Sequence, residues 1–305
     1  MERERYSSSG DYSVTDLINP ARVVRLKKRY GESADQPLSS MIPAMLGTAI
    51  HEYFEKYLKL WVVKSQYPNL HFEEQLTHSF QVGEVDRKVS GRYDIRDGGH
   101  MYDIKSCKVW KLIYDPDMKE WHEQQNLYDY LCYLNDIHLE SINIIALYKD
   151  WQEGNALRNR DYPQTQIAEY GLTRWDRDTQ LDFLFTNLAK HVACEETQDD
   201  QLPPCTREER WERFPDGAEI HYAVMKTQTA KRAARVFKGG TLSDAMAQAK
   251  AKVRGLSSDS MLEVRYATRT RCERYCAVNE WCNDYQAYMK DKKNETLNDY
   301  IKVMP

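Results

Sequence analysis

The segment VSGRYDIRDGGHMYDIKSCK, residues 89–108, constrains the fold more than any other stretch. Its two halves carry strand-type residues, and RDGG between them is a turn signal, because Asp-Gly and Gly-Gly supply the backbone conformations of tight hairpins. With Gly98 and Gly99 as the turn residues, Asp97 faces His100, Arg96 faces Met101, Ile95 faces Tyr102 and Asp94 faces Asp103. One step further, Tyr93 meets Ile104 and Arg92 meets Lys105. Directly opposed carboxylates repel. Side chains alternate along a strand, so Asp103 and Lys105 share a face, and this register adds Asp94 to it. A divalent cation between the carboxylates would make the pairing favourable, and hard oxygen donors suit magnesium or manganese. The competing reading is an exposed hairpin with ordinary surface charges, and a three- or five-residue loop would break the register.

The chain of 305 residues is long enough for one large domain or two smaller ones. Its formal net charge of -4 argues against a large, non-specific nucleic-acid surface but allows a local basic groove. Two segments are candidates for one. RVVRLKKRY carries Arg25, Lys27 and Lys28, and KTQTAKRAARVFKGG carries Lys231, Arg232 and Arg235 with no acid among them. A solvated basic face is the plain alternative for each. No apolar run is long enough to cross a bilayer. The start, MERERYSSSGDYS, lacks the apolar core of a secretory signal and reads as a disordered lead-in, which points to a cytoplasmic protein.

Along the chain, residues 1–40 read as lead-in and helix, 41–194 as a core, and 195–305 as an appended module, with EETQDDQLPPC as the linker. Ser13 opens a helix. Another is expected from Thr48 to Lys64, with Ile50, Phe54, Tyr57, Leu58 and Trp61 on one face. Short strands around HFEEQL and HSFQVGEV precede the hairpin. A helix over 121–134, a buried strand INIIALY and a helix over 177–194 follow, and 151–170 reads as irregular. After 200 come strands in IHYAVMK, AARVF and LEVRYA, and a helix capped at Thr241 or Ser243. The expected fold is α/β, a mixed central sheet flanked by helices, with a C-terminal α+β module.

The seven cysteines are an odd count, against a secreted disulfide scaffold. RCERYCAVNEWC gathers Cys272, Cys276 and Cys282, which suggests metal ligation. Cys205 is the first choice for a fourth ligand and Cys194 the second. Thiolates suit zinc or an iron–sulfur cluster, and spacing does not choose between them. Three free thiols in a tail is the plain alternative.

Three segments complete the pattern. GTAIHEYFEKYL places His51 early on a helix. The hairpin supplies G-x-x-D and D-x-K. WHEQQNLYDYL sets Gln124 and Tyr128 four apart on one helix face. In this order they resemble the RecB-like branch of the PD-(D/E)xK nuclease superfamily, over residues 13–150. The resemblance implies a restriction-endonuclease-like core and metal-dependent hydrolysis of DNA phosphodiester bonds. It implies that His51, Asp94, Asp103 and the carbonyl of Ile104 bind magnesium or manganese. Lys105 would orient or activate the water and stabilise the transition state, and Gln124 and Tyr128 would position the lysine and contact the DNA backbone. It also favours a 4Fe–4S cluster over zinc at Cys205, Cys272, Cys276 and Cys282. The chain departs from the family there, since the family's first cysteine usually precedes the histidine and no cysteine here precedes Cys107.

The function so implied is a DNA exonuclease resembling phage-encoded relatives that serve replication or recombination in a bacterial host. The sequence has no G-x-x-x-x-G-K-[ST] loop, so unwinding would fall to a helicase partner. A structure-specific endonuclease of the same fold and a non-catalytic DNA-binding protein with a structural cysteine site are the alternatives.

Overall fold

The computed structural model describes residues 10–31, 42, 45–50, 52, 53, 56, 57, 69–114, 117–212, 220–227, 229–295 and 300–302. The chain divides into two compact units, residues 1–24 with 35–196, and residues 25–34 with 197–305. The division falls inside the helix Ala21–Tyr30.

The first unit contains β1 (Tyr12–Ser13), β2 (Leu70–Phe72), β3 (Gln75–Val82), β4 (Val85–Arg92), β5 (Ile95–Asp97), β6 (His100–Cys107), β7 (Ser141–Tyr148) and β8 (Ile167–Leu172). Five strands form a mixed sheet in the order β2-β5-β6-β7-β8, and β1-β4-β3 form a second, smaller one. In the larger sheet only β6 and β7 run parallel. A parallel pair needs a long crossover, and the helix Lys119–Leu134 lies within it. This is the expected mixed sheet flanked by helices.

The register between β6 and β7 puts Met101, Asp103, Lys105 and Cys107 beside Ile142, Ile144, Ala146 and Tyr148. The apolar members of this face pack under the crossover helix, Met101 and Ile142 with Leu127 and Leu131, and Ile144 and Tyr148 with Trp121. Asp103 and Lys105 therefore lie on the face that the helix covers. The helix is buried on several sides, because Leu184 and Leu188 of the helix Arg177–Ala193 and Phe80 and Val89 of the small sheet join the same core.

The hairpin turn forms as expected, and then the pairing stops. Gly98 takes φ +57°, the conformation the first residue of such a turn needs. Asp97↔His100, Arg96↔Met101 and Ile95↔Tyr102 pair. The expected pairs Asp94–Asp103, Tyr93–Ile104 and Arg92–Lys105 are not part of the ladder. Residues 85–92 belong to the other sheet, where Arg92 pairs with Gln75 and Val85 with Val82 around a turn containing Gly83 at φ +62°. The competition was invisible in the sequence, because β4 has an apolar pattern that fits either partner. At the bend the Asp94 carboxylate accepts the Ile104 N–H at 2.7 Å, the donor a longer ladder would have used.

Two further expectations are corrected. Residues 151–170 hold the short helix Glu153–Ala156 and the start of β8. β8 is an edge strand with no fully buried position, so it lacks an apolar signature. The helix expected from Thr48 is already helical at residue 45, so Thr48 is not its cap. His51, Phe54, Leu58 and Trp61 lie outside the described residues.

The second unit carries an antiparallel sheet in the order β10-β9-β11-β12, from β9 (Ile220–Met225), β10 (Arg235–Lys238), β11 (Met261–Tyr266) and β12 (Tyr300–Lys302). The helix Leu242–Lys252 starts with a capping box between Thr241 and Asp244, and Ala245 and Ala249 pack against Tyr222, Val224, Phe237 and Leu262. Short helices, Thr270–Arg274 and Asn283–Glu295, follow.

Candidate active site

The site is built where β6 passes under the crossover helix. Asp103 is 4% exposed. Lys105, two residues along the same face, sets its Nζ 2.9 Å from Asp103 Oδ2 and donates to Gln124 Oε1 at 2.8 Å. Gln124 Nε2 in turn lies 3.4 Å from the Tyr128 hydroxyl, one helical turn further on. One ammonium is thus held between a strand carboxylate and a helix amide, and the amide is held by a phenol.

Asp94 reaches this group from the bend. Its carboxylate is fixed by the Ile104 N–H, and its carbonyl accepts the N–H of Glu73 at 3.0 Å. Glu73 has φ +50°, a costly conformation for a residue with a side chain, and its carboxylate pairs with Arg92 Nε at 3.0 Å. In an extended strand the N–H and C=O of one residue point the same way. The Ile104 carbonyl therefore points toward the Asp94 side of β6. Asp94, Glu73, Arg92, Tyr128 and Thr15 line a cavity of about 700 Å³.

Burial raises the Tyr128 phenol above its ordinary value, and the charges of Asp103 and Asp94 raise it further. Tyr128 is therefore a neutral hydrogen-bonding group and not a base. The direction also records that both carboxylates stand close to it.

The donors at this point are all oxygens, from Asp94, Asp103 and the Ile104 carbonyl, and they fit a hard cation such as magnesium or manganese. Among the described residues, no three His, Cys, Asp or Glu side chains are grouped so as to hold a metal ion. The remaining expected donor, His51, lies outside those residues.

The sequence did not single out Asp129, the neighbour of Tyr128. It is fully buried and accepts from Arg174 Nε and Nη2 at 3.1 Å each and from Gln180 Nε2 at 2.8 Å, with Arg177 Nη1 also 3.1 Å away. Asn126 accepts the Trp175 N–H at 2.7 Å. These contacts fix the helix that carries Gln124 and Tyr128. An aspartate inside the apolar run LYDYL was the available signal, since a buried carboxylate needs partners.

The cysteine candidates lie in the second unit. Cys205 precedes a reciprocal pair in which Thr206 N–H donates to Glu209 and Glu209 N–H donates to Thr206 Oγ1, fixing the loop. Cys272 sits in the helix Thr270–Arg274, and its carbonyl accepts from Asn279 Nδ2 at 2.9 Å. The Cys276 N–H returns to the Arg271 carbonyl at 2.8 Å, and the Cys282 carbonyl accepts the Gln286 N–H at 2.9 Å. Burial pushes the Cys205 thiol up to about 12, and Glu209, Cys272, Cys282 and Cys276 add to the shift. Burial likewise pushes Cys272 up to about 11, with Cys276 the next cause. The charges of the four sulfurs thus influence one another, but among the described residues no three cysteines are grouped so as to hold a metal ion. Cys194, buried, follows the helix Arg177–Ala193 in the first unit. Cys107 and Cys132 are buried in the first unit's core.

The basic candidates Arg25, Lys27, Lys28, Lys231, Arg232 and Arg235 all belong to the second unit. Lys27, Lys28, Lys231, Arg232 and Arg235 are exposed, and Arg25 is half-buried. No helix among the described residues is long and apolar enough to cross a membrane.

No family model and no curated protein sequence matches this chain. Among solved structures it is similar to SSO0001, with a TM-score of 0.44 and 21% identity over 65% of this chain and 80% of that one. It is also similar to LHK-Exo, an alkaline exonuclease from Laribacter hongkongensis, with a TM-score of 0.36 and 12% identity over 60% of this chain and 89% of that one. LHK-Exo in complex with dAMP gives a TM-score of 0.36 and 12% identity over 61% and 87%. Likeness at this level assigns no activity, so the reading of the site rests on its geometry.

Proposed function

We propose that this chain is a metal-dependent deoxyribonuclease, an exonuclease acting in DNA replication or recombination. The observation that carries the reading is the placement of Lys105 Nζ, 2.9 Å from Asp103 and 2.8 Å from Gln124, on a strand whose Ile104 N–H holds the Asp94 carboxylate. Surface ion pairs do not need a buried glutamine and phenol behind them. A lysine that must meet a phosphate in one orientation does.

His51, Asp94, Asp103 and the Ile104 carbonyl would hold magnesium or manganese. When bound, the metal supplies charge neutralisation at the phosphate and lowers the pKa of a coordinated water. Lys105 donates hydrogen bonds to the attacking water or to a non-bridging phosphate oxygen, where negative charge develops. Water oxygen bonds to phosphorus, the ester oxygen leaves, and a proton passes from the water to that leaving oxygen through solvent. Gln124 and Tyr128 hold the lysine and present neutral groups to the DNA backbone.

In the second unit we read Cys205, Cys272, Cys276 and Cys282 as ligands of a 4Fe–4S cluster, with zinc as the alternative. Arg25, Lys27, Lys28, Lys231, Arg232 and Arg235 would contact DNA. The setting we infer is the cytoplasm of a bacterium, with the chain phage-encoded or bacterial and a helicase or recombination protein as partner.

The test compares the natural chain with Asp103→Ala and Lys105→Ala on linear and circular DNA with manganese or magnesium. Cleavage of the linear DNA alone, reduced about 100-fold or more in both variants, is the expected result. Cutting of the circle would move the reading to a structure-specific endonuclease. No cleavage by a folded, metal-loaded chain would leave a DNA-binding protein. Iron, sulfide and zinc analysis of anaerobically prepared protein decides the cluster's identity.

A further inference from the structure

A second cavity, of about 610 Å³, opens where β6 ends, and Lys105 lies in its wall. Lys108, Lys111, Trp110 and Trp121 line it together with Ser106 and Cys107 of the strand end. Its size is within the roughly 300–1,000 Å³ of small-ligand sites. Trp110 is 53% exposed, while Trp121 is buried with Lys111 Nζ 5.3 Å from the centre of its ring. Among the described residues no carboxylate lines the cavity; Glu120 lies 4.0 Å from Lys111 Nζ.

The base of this cavity is rigid. Val109 is buried, and its N–H donates to Asp150 at 2.8 Å, which ties the start of the helix Val109–Tyr114 to the end of β7. The Lys149 N–H donates to the Cys107 carbonyl at 2.9 Å. Trp110 is thus presented on an anchored turn.

An exposed indole alone needs no explanation. Here it stands among three lysines, one of which is the lysine of the candidate active site. Lys105 and Lys108 are three positions apart, at most about 10 Å of extended chain. That is about three nucleotides of stacked strand at about 3.4 Å each, and fewer if the strand is extended. Flat aromatic surface flanked by ammonium groups suits a nucleobase between two phosphates. It suits an acidic peptide less well, because such a peptide has no flat face for the indole.

We propose that this cavity is a subsite for an unpaired nucleotide of the DNA strand, whose base stacks on Trp110 while Lys108 and Lys111 take its flanking phosphates. The proposal rests on the nuclease reading for its substrate. A base must leave the duplex stack to reach the indole, so the subsite selects single-stranded or frayed ends.

Two measurements test it. The first is quenching of tryptophan fluorescence by oligo-dT without divalent cation, comparing the natural chain with Trp110→Phe. The second is cleavage of single-stranded substrates, with and without abasic positions near the scissile bond, by the natural chain, Trp110→Ala, Trp110→Phe and Lys108→Ala. We expect the quench to fall in Trp110→Phe. We expect KM to rise about 5- to 100-fold in Trp110→Ala with kcat little changed, and to recover in Trp110→Phe. An abasic position should cost the natural chain what it no longer costs Trp110→Ala. Normal cleavage with no quench difference and no effect of Trp110→Ala would overturn the subsite while the nuclease reading stands. A Trp110-dependent quench without any cleavage would support the subsite and sink the nuclease reading.

Discussion

At Gly91 a β-carbon would sit 2.7 Å from Cε1 and 2.9 Å from Cδ1 of Tyr128, and 3.0 Å from Val14 Cγ2. The Tyr128 ring is buried directly against Gly91. Gly91→Ala is expected to displace the ring, and with it Gln124 and Lys105, at a cost of about 1–3 kcal/mol in stability. Cleavage should fall at least tenfold, measured beside the urea midpoint. Gly83 is the control: a β-carbon there meets open space, but φ is +62°, so Gly83→Ala should cost stability and leave the rate alone. Equal rates in the two variants would detach Tyr128 from the lysine. At this scale much of the site was legible. D-x-K and Q-x-x-x-Y name residues that meet in space, because strand alternation and the helical turn place them by short-range geometry. Glu73 and Arg92 were not legible, since their roles depend on a bend joining two sheets.

The crossover helix Lys119–Leu134 carries two of the site residues and depends on a charge. Asp129 is fully buried between Arg174 and Arg177. Removing one partner from such a group leaves the others desolvated and unpaired, so Asp129→Ala is expected to destabilise the first unit by about 3–5 kcal/mol. Urea unfolding of the full chain checks this. A cost under about 1 kcal/mol would mean the arginines find solvent instead. The same element shows what sequence pattern can and cannot supply. Its bounds were readable from composition, and β7 from its β-branched run. Its burial on several sides was not, because polar residues such as Gln124, Asn126 and Asp129 look like a solvated edge until their partners are known. β8 failed for the opposite reason, an edge strand that buries no side chain fully.

For the whole molecule, charge is the least even property. The net charge is -4, yet residues 220–266 hold nine Lys and Arg against three Asp and Glu. Strands β9, β10 and β11 of this stretch belong to the sheet of the second unit, and Lys231, Arg232, Arg235 and Lys238 are exposed. If this stretch holds DNA, its contacts are to phosphates, which release counterions on neutralisation. A log–log plot of affinity against salt then has a slope of about -0.7 per phosphate for single strands and about -0.9 for duplex. Replacing Lys231, Arg232 and Arg235 with alanine together should reduce that slope by about 2–3 and weaken all sequences alike. The cleavage rate at saturating DNA should hold, because none of the three lies in the unit that carries Lys105. An unchanged slope would move the binding surface to Arg25, Lys27 and Lys28, and the same experiment on those three would then show the loss.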